Sequence, residues 1–408
     1  MAPPTEGSTT SPRATAPEPL PLDWTQLGEG EALPVRFPAD VTDITPDEDD
    51  ICIVGTAGQK ITFIGSDFSS TVNENMTSLV LRSHLIHKME GLQHFKCLDL
   101  LELYDNQIPE LACLDEGEEG KPGNTLRVLD MSYNVIREMQ PVSLCPNLQE
   151  LCKYRDTLHL TSSLTHADSH RADLANNKLK DMSGLKELTK LRKLDLGANR
   201  IREMVPEELS GLVNLEELWL GKNKIEKIDG LSCLKKLRRL DIQSNRLERI
   251  ENLEAQKETL EELYLAHNGI EDSGIISLDL TNISVLDFCR NRLTSARHFA
   301  HLVSLEELWL SGNNIANFSE VEPLVDLSVL ETIYLEYNPV QKENPLYRKR
   351  LTEIMAPSLR QIDATPIGHQ TTSTILSPEE QNRHLQDLVL QRAAAQNAQE
   401  EKTLPPDE

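Results

Sequence analysis

Aromatic residues, basic residues and long apolar runs are all scarce in this chain of 408 residues. Phe, Trp and Tyr make up only 4% of the sequence, so large rings do not dominate its core. No apolar run approaches the roughly 18 residues of a membrane-spanning helix, and the N-terminus lacks the charged-then-apolar order of a signal peptide. The seven cysteines are odd in number and contain no C-x-x-C motif, which argues against a disulfide framework. We therefore expect a soluble, intracellular protein.

Positive charge is outweighed by negative charge. There are 41 Lys and Arg residues against 66 Asp and Glu residues, a formal net charge of −25. Nucleic-acid backbones and anionic membranes both favour proteins with a Lys and Arg surplus. We therefore expect neither nucleic acid nor membrane as a partner, and favour a protein with a basic patch.

Catalytic and cofactor signatures are also missing. The chain contains no G-x-S-x-G, H-E-x-x-H, P-loop or dinucleotide fingerprint. His166, Asp168 and His170 are metal-ligand types at tight spacing, but they lie in an interruption of the pattern described below, with no supporting shell in the sequence. The sequence predicts no enzyme and no catalytic, cofactor-binding or metal-binding residues.

What recurs instead is the pattern L-x-x-L-x-L-x-x-N-x-(I/L/V), as in LRVLDMSYNVI (126–136) and LEELWLGKNKI (215–225). A degenerate first copy begins at Met76, with His84 in the asparagine position. Most steps between asparagines are 22 to 25 residues, the leucine-rich-repeat period. The asparagines are Asn106, Asn134, Asn177, Asn199, Asn223, Asn245, Asn268, Asn291, Asn313 and Asn338.

This repetition predicts an α/β leucine-rich-repeat solenoid of about 11 repeats plus a C-terminal cap. A curved parallel sheet should form the concave face, and helical or 3₁₀ turns the convex face. Composition divides the chain into a disordered acidic and Pro-rich tail (1–48), an N-terminal capping segment (49–75), the repeats (76–340), a C-terminal cap (341–370) and a helical or disordered tail (371–408). Within 49–75, the apolar runs 51–54 and 61–64 suggest a hairpin that shields the first repeat.

Candidate binding residues lie between the last two leucines of L-x-x-L-x-L. Side chains alternate along a strand, so this residue points away from the core. From the second repeat onward every legible residue there is acidic or aromatic, and an exposed aromatic ladder flanked by carboxylates is typical of a protein-binding surface. Those residues are Glu102, Asp130, Asp195, Trp219, Asp241, Tyr264, Asp287, Trp309 and Tyr334. Two positions earlier, Glu150, Glu217, Glu262 and Glu307 add further acids.

The strings LYDNQI (103–108), LEELW (305–309), YLEYNPVQKENPLYRKR (334–350) and LRQIDATPI (359–367) resemble the leucine-rich-repeat regulatory subunits of protein phosphatase-1, the regulatory subunit 7 family. The resemblance covers roughly residues 76–367. It implies a non-enzymatic protein of nucleus and cytoplasm that lays its concave face on the phosphatase catalytic subunit, often with a small inhibitor protein as third partner. Carried over residue by residue, the family's contacts fall on Asp130, Asp195, Trp219, Asp287, Glu307, Trp309 and Tyr334. Tyr264 joins the predicted partner-binding residues through its place in the same row.

Three questions stay open: the partner of this face, the role of one short motif and the origin of residues 152–172. The same face could serve a general scaffold, for example a cytoskeletal or ciliary repeat protein. The segment Lys60-Ile-Thr-Phe63 matches a short phosphatase-docking pattern, although coincidence in a short strand is the better interpretation.

The third concerns residues 152–172, where the step from Asn134 to Asn177 is 43 residues. Removing 21 residues restores a step of 22. Cys152-Lys-Tyr can be encoded with a splice donor (TGTAAGTAC) and Ala172-Asp173 with an acceptor (GCAGAC). Splicing would remove 63 nucleotides and leave a tyrosine codon, giving LQELYLANNKL. We therefore interpret the segment as a retained intron of the gene model rather than an evolved loop, because a real insertion would interrupt a central strand.

Overall fold

The computed structural model describes residues 50–54, 61, 63–64, 74–89, 92–114, 122–151, 174–275 and 278–368. Within these ranges the strands, β1 to β16 in chain order, are Asp50–Val54, Phe63–Ile64, Ser78–Arg82, Lys88–Met89, Leu100–Glu102, Val128–Asp130, Glu150–Leu151, Lys193–Asp195, Glu217–Trp219, Arg239–Asp241, Glu262–Tyr264, Val285–Asp287, Glu307–Trp309, Thr332–Tyr334, Gln361–Ile362 and Thr365–Pro366.

Helical structure in the described residues is short. The α-helices α1 to α3 span Pro206–Leu209, Pro339–Lys342 and Tyr347–Ile354. The 3₁₀ turns are Leu92–His94, Ala112–Leu114, Pro122–Asn124, Gln140–Leu144, Leu231–Cys233, Glu254–Gln256, Asp272–Gly274, Arg297–Phe299, Phe318–Glu320 and Glu322–Asp326. They occupy the returning segments between strands, which are 19 to 22 residues long from β8 to β14 and contain only short helical turns.

One sheet runs the length of the described chain. Its order is β1, β3 and then β5 to β16, and every pairing is parallel except the last, between β15 and β16. Neighbouring strands belong to successive repeats, so each coil stacks on the next. The predicted leucine-rich-repeat solenoid is confirmed.

Leucines fill the interior because side chains alternate along each strand. In the triplet Glu217-Leu218-Trp219, position 2 is fully buried, and the same holds for Leu194 and Leu240 in the adjacent strands. Positions 1 and 3 of the triplets lie on the opposite side of the sheet. We call the surface formed by these two rows the sheet face.

The recurring asparagines join one coil to the next by hydrogen bonds. Asn223 Nδ2 donates to the carbonyl oxygens of Leu196 (2.9 Å) in the preceding coil and Leu220 (3.0 Å) in its own, and its Oδ1 accepts the Ile201 N–H (3.0 Å). His84 substitutes for asparagine at the first repeat, because its Nδ1 accepts the Ile61 N–H (3.2 Å). The predicted register of the first, degenerate repeat is therefore correct.

The N-terminal capping segment differs from the prediction. Instead of forming a hairpin with each other, β1 pairs in parallel with β3 and β2 pairs in parallel with β4. These residues therefore form a further coil of the solenoid, with Ile51 and Ile61 in the core at 3% and 2% exposure. The backbone of Ile61 is also engaged on both sides, since its carbonyl accepts the Leu85 N–H. Burial of Ile61 favours the interpretation that the Lys60–Phe63 match is a coincidence in a short strand.

The C-terminal end closes the stack with a side chain. In an inner coil the Leu310 N–H donates to the Tyr334 carbonyl of the next coil (2.7 Å). At the last coil, Asp363 Oδ1 takes the place of that carbonyl and accepts the N–H groups of Leu335 (2.8 Å) and Glu336 (3.1 Å). The solenoid thus ends without orphaned backbone donors at this edge.

The fourth repeat keeps its stacking on both sides of the interruption. Strand β7 ends at Leu151, and Leu174 takes up the next core position, fully buried, as the sequence predicts. Asn177 Nδ2 donates to the Met131 carbonyl (2.9 Å) of the preceding coil. The predicted insertion itself (152–172), the tail 1–48 and the predicted helix in 378–402 lie outside the described residues.

Candidate functional site

The predicted binding residues come together as one continuous row on the sheet face. Strand register places Asp195, Trp219, Asp241, Tyr264, Asp287, Trp309 and Tyr334 side by side, one from each of the strands β8 to β14. We call this the position-3 row. Asp130 occupies the same position in β6, and Glu307 lies at position 1 of β13.

Three of the aspartates at position 3 are buried, unlike the exposed carboxylates that the sequence led us to expect. Asp130, Asp195 and Asp287 are 2%, 5% and 6% exposed. Each carboxylate accepts a backbone N–H two residues further on, from Ser132, Gly197 and Cys289 at 2.8 to 2.9 Å. These side chains therefore shape the turn after each strand, whatever they add to binding.

Burial changes the acidity of two of these groups. Burial raises the pKa of Asp130 to about 7, although hydrogen bonds from the Ser132 hydroxyl and N–H favour the charged form. Burial likewise raises the pKa of Asp287, against the hydrogen bond from the Cys289 N–H. Burial is the largest cause of both shifts.

Three aromatic rings form a cluster at the C-terminal part of the row. The Tyr264 and Trp309 ring centroids are 6.1 Å apart and those of Trp309 and Tyr334 are 5.8 Å apart, both edge to face. Strands β11 and β13 lie about 9.5 Å apart, so the first two rings lean towards each other across Asp287. All three rings are partly exposed. Together they present an already ordered apolar surface to a binding partner.

The polar atoms of these rings are hydrogen-bonded to the sheet face itself. The Tyr264 hydroxyl donates to Glu262 Oε2 (2.8 Å), and the Trp309 Nε1–H donates to Glu307 Oε2 (3.1 Å). The Tyr334 hydroxyl accepts from Gln361 Nε2 (2.8 Å). Burial and the Glu262 carboxylate also raise the Tyr264 pKa, so this hydroxyl stays protonated. These bonds fix each ring over its own strand.

Trp219 departs from the prediction of an exposed aromatic ladder. It is only 5% exposed, and the Arg239 guanidinium lies over its ring at 5.6 Å from the centroid. The same guanidinium lies 4.9 Å from the Tyr264 centroid. Trp219 therefore supports the sheet face by packing, and the argument from an exposed ladder holds only for Tyr264, Trp309 and Tyr334.

Two basic residues on the sheet face were overlooked by reading the carboxylates alone. Lys193 Nζ lies 2.6 Å from Glu217 Oε1, and Arg239 Nη1 lies 3.2 Å from Glu262 Oε2. The sequence shows both residues at the first position of the triplets K-L-D (193–195) and R-L-D (239–241). These triplets alternate with E-L-W (217–219) and E-L-Y (262–264). The full position-1 row over β8 to β14 is Lys193, Glu217, Arg239, Glu262, Val285, Glu307 and Thr332. The position-1 row is therefore internally neutralised from β8 to β11.

Other kinds of site find no support in the part of the chain that the structure describes. It contains no group of three or more His, Cys, Asp or Glu residues placed to hold a metal ion. None of its helices is long and apolar enough to cross a membrane. The fourth-repeat position where the resembled family has a further contact falls within the undescribed residues 152–173.

Comparison with known proteins gives the same fold and relatives that include protein phosphatase 1 regulatory subunits and a centrosomal protein of Mus musculus. Two family models, both described as leucine-rich repeat, match residues 189–247 and 238–375. The chain is 46% identical over 71 residues to the protein phosphatase 1 regulatory subunit SDS22 of Schizosaccharomyces pombe, covering 17% of this chain and 21% of that protein. It is 34% identical over 198 residues to an Arabidopsis thaliana protein named protein phosphatase 1 regulatory inhibitor subunit PPP1R7 homolog, covering 47% and 53%.

Among solved structures, a leucine-rich-repeat protein of Leptospira interrogans matches with a TM-score of 0.58 at 23% identity, covering 74% of this chain and 70% of that one. That likeness concerns the fold alone. The matched segments span between a fifth and about half of the two phosphatase-subunit relatives.

Proposed function

We propose that this leucine-rich-repeat protein, a relative of the protein phosphatase 1 regulatory subunits, is itself a non-enzymatic regulatory subunit of that phosphatase. In this proposal the sheet face, predicted to be concave, binds the catalytic subunit. A ternary complex with a small inhibitor protein and a location in nucleus and cytoplasm are parts of the same proposal. The observation that carries it is the partly exposed aromatic cluster of Tyr264, Trp309 and Tyr334, which lies in an acidic surface. Relatives of this chain are named as protein phosphatase 1 regulatory subunits.

The cluster has the composition of a binding hot spot. Trp and Tyr side chains at the centre of an interface contribute most of the binding free energy when a partner excludes water from them. Here the rings are ordered before binding by contacts with each other and by hydrogen bonds to Glu307, Glu262 and Gln361. Little side-chain entropy is then lost on association.

The predicted contacts divide into two groups by exposure. Tyr264, Glu307, Trp309 and Tyr334 are accessible, and we assign them direct contact with the phosphatase. Asp130, Asp195, Trp219 and Asp287 are buried, and we assign them the shape and rigidity of the surface beneath the contact. Replacement of Trp219 by alanine should therefore lower the free energy of unfolding as well as the affinity.

Capture from cell extract tests the proposal. The full chain, immobilised, should retain the protein phosphatase 1 catalytic subunit, and the Trp309→Ala variant should retain much less. If the catalytic subunit is absent from the bound fraction and a cytoskeletal or ciliary protein is retained instead, the chain is the general scaffold of the alternative hypothesis.

A further inference from the structure

The triplets of the sheet face follow a two-strand alternation that the single-repeat pattern does not show. E-L-W (217–219), E-L-Y (262–264) and E-L-W (307–309) alternate with R-L-D (239–241) and V-L-D (285–287). Register places Arg239 between Glu217 and Glu262, and Val285 between Glu262 and Glu307. Arg239 and Val285 therefore occupy equivalent positions, each flanked by two glutamates and two aromatic rings.

The first of these positions already holds a cation. The Arg239 guanidinium lies 5.6 Å from the Trp219 centroid, 4.9 Å from the Tyr264 centroid and 3.2 Å from Glu262 Oε2. Its charge is thereby satisfied by a carboxylate and by the negative faces of two rings at once. Two aromatic rings and a carboxylate on neighbouring strands of this sheet thus bind a guanidinium group.

The second position has the same kinds of side chain and no cation, but here the two rings contact each other (6.1 Å between centroids) and Glu262 already pairs with Arg239. Tyr264 and Trp309 supply the rings and Glu262 and Glu307 the carboxylates, but Val285 is partly exposed and uncharged. Glu307 forms no ion pair within the described residues, and its one recorded partner is the indole N–H of Trp309 at 3.1 Å. A carboxylate beside an accessible indole is left without its counter-ion here, whereas Glu217 has Lys193 and Glu262 has Arg239.

We propose that Glu307 and Trp309, beside Val285 and next to Glu262 and Tyr264, bind an arginine or lysine side chain of the partner protein by the kind of carboxylate and ring contacts that Arg239 makes in cis. The inference rests on the proposed function for the identity of the partner, but the chemistry of this site stands on its own. Among basic side chains, arginine matches best, because its planar guanidinium both stacks on rings and pairs with carboxylates. Val285 thus marks a place where the cation has to come from outside.

Filling this site from within tests the inference directly. In full-length Val285→Arg, the new guanidinium should pair with Glu307 and compete with the partner's cation, so that the dissociation constant for the phosphatase catalytic subunit rises at least tenfold. Val285→Met is the matched control, since it has similar length and no charge, and its dissociation constant should stay within about threefold of the unmodified chain. Equal losses in both variants would show a steric effect and overturn the inference, as would normal binding by Val285→Arg.

A second measurement needs no phosphatase. N-acetyl-arginine amide should shift the Trp309 indole N–H signal in a two-dimensional ¹⁵N spectrum of the unmodified chain, with the signal assigned by its loss in Trp309→Phe. The shift should be absent in Val285→Arg and absent with N-acetyl-glutamine amide. If the unmodified chain does not bind the phosphatase but shows the arginine-specific shift, the proposed function fails and the cation site stands. If it binds the phosphatase but shows no such shift, the cation site fails and the function stands.

Discussion

Replacing one recurring asparagine should uncouple two coils of the solenoid. Asn223 is 8% exposed, and its amide holds one backbone N–H and two carbonyl groups from two coils. In Asn223→Ala these groups lose their partner inside the core. A buried donor or acceptor without a partner costs about 1 to 3 kcal/mol, and carbonyl groups with a second bond cost less than that. We therefore expect the free energy of unfolding to fall by about 2 to 4 kcal/mol.

Aspartate at this position sharpens the test. Asn223→Asp keeps an acceptor for the Ile201 N–H, but puts an oxygen where Nδ2 now lies 2.9 and 3.0 Å from two carbonyl oxygens. At neutral pH its loss should equal or exceed that of the alanine variant.

Urea denaturation followed by circular dichroism measures both variants. Asn214→Ala is the matched control from the same repeat, because its amide bonds to Thr189 and Lys236 at the exposed surface. Its effect should stay within about 0.5 kcal/mol. Wild-type stability in Asn223→Asp would refute the view that the amide acts as donor and acceptor between coils.

Further predictions concern acidity, salt and the gene. Because burial raises the Asp130 pKa to about 7, the folded state binds a proton that the unfolded state releases near pH 4, so stability should fall as pH rises from about 4 to 7. Asp130→Asn keeps the Ser132 hydrogen bonds and should remove this dependence, gaining up to about 4 kcal/mol at pH 8 in denaturation curves; an unchanged pH profile would contradict the burial argument. The association rate with the phosphatase should fall as ionic strength rises to physiological values, and Glu307→Gln should weaken that dependence; a slope equal to that of the unmodified chain in stopped-flow measurements would argue against this. Transcripts sequenced across Leu151–Leu174 should lack the 63 nucleotides that encode the interruption, and messages that all retain them would make the segment a true loop.

The solenoid and the position of its binding row follow from periodicity, because leucine spacing determines which side chains enter the core and which leave it. Burial within the row does not follow from periodicity. Asp287 is buried because the rings of two flanking strands meet above it, and Trp219 is buried because Arg239 lies over it. Both effects depend on residues one coil away, 20 to 23 positions along the chain.

The first coil shows a different limit. The segment that follows strand β1 lacks the recurring asparagine, so the repeat pattern does not match there. Only the pairing with β3 and the bond from Ile61 to His84 reveal that it belongs to the stack. The sequence shows Arg239 in the triplet R-L-D, but its contact with the Trp219 and Tyr264 rings is seen only in the structure.

Isothermal titration of the full chain with the purified protein phosphatase 1 catalytic subunit tests the central claim most directly. Trp309→Ala should weaken binding by about 2 kcal/mol or more, roughly thirtyfold, while leaving the unfolding transition nearly unchanged. Tyr337→Ala is the matched control, because Tyr337 is 64% exposed in the next repeat but lies outside both rows of the sheet face. Our account predicts a loss of affinity in Trp309→Ala and none in Tyr337→Ala; equal affinities in the two variants would contradict it.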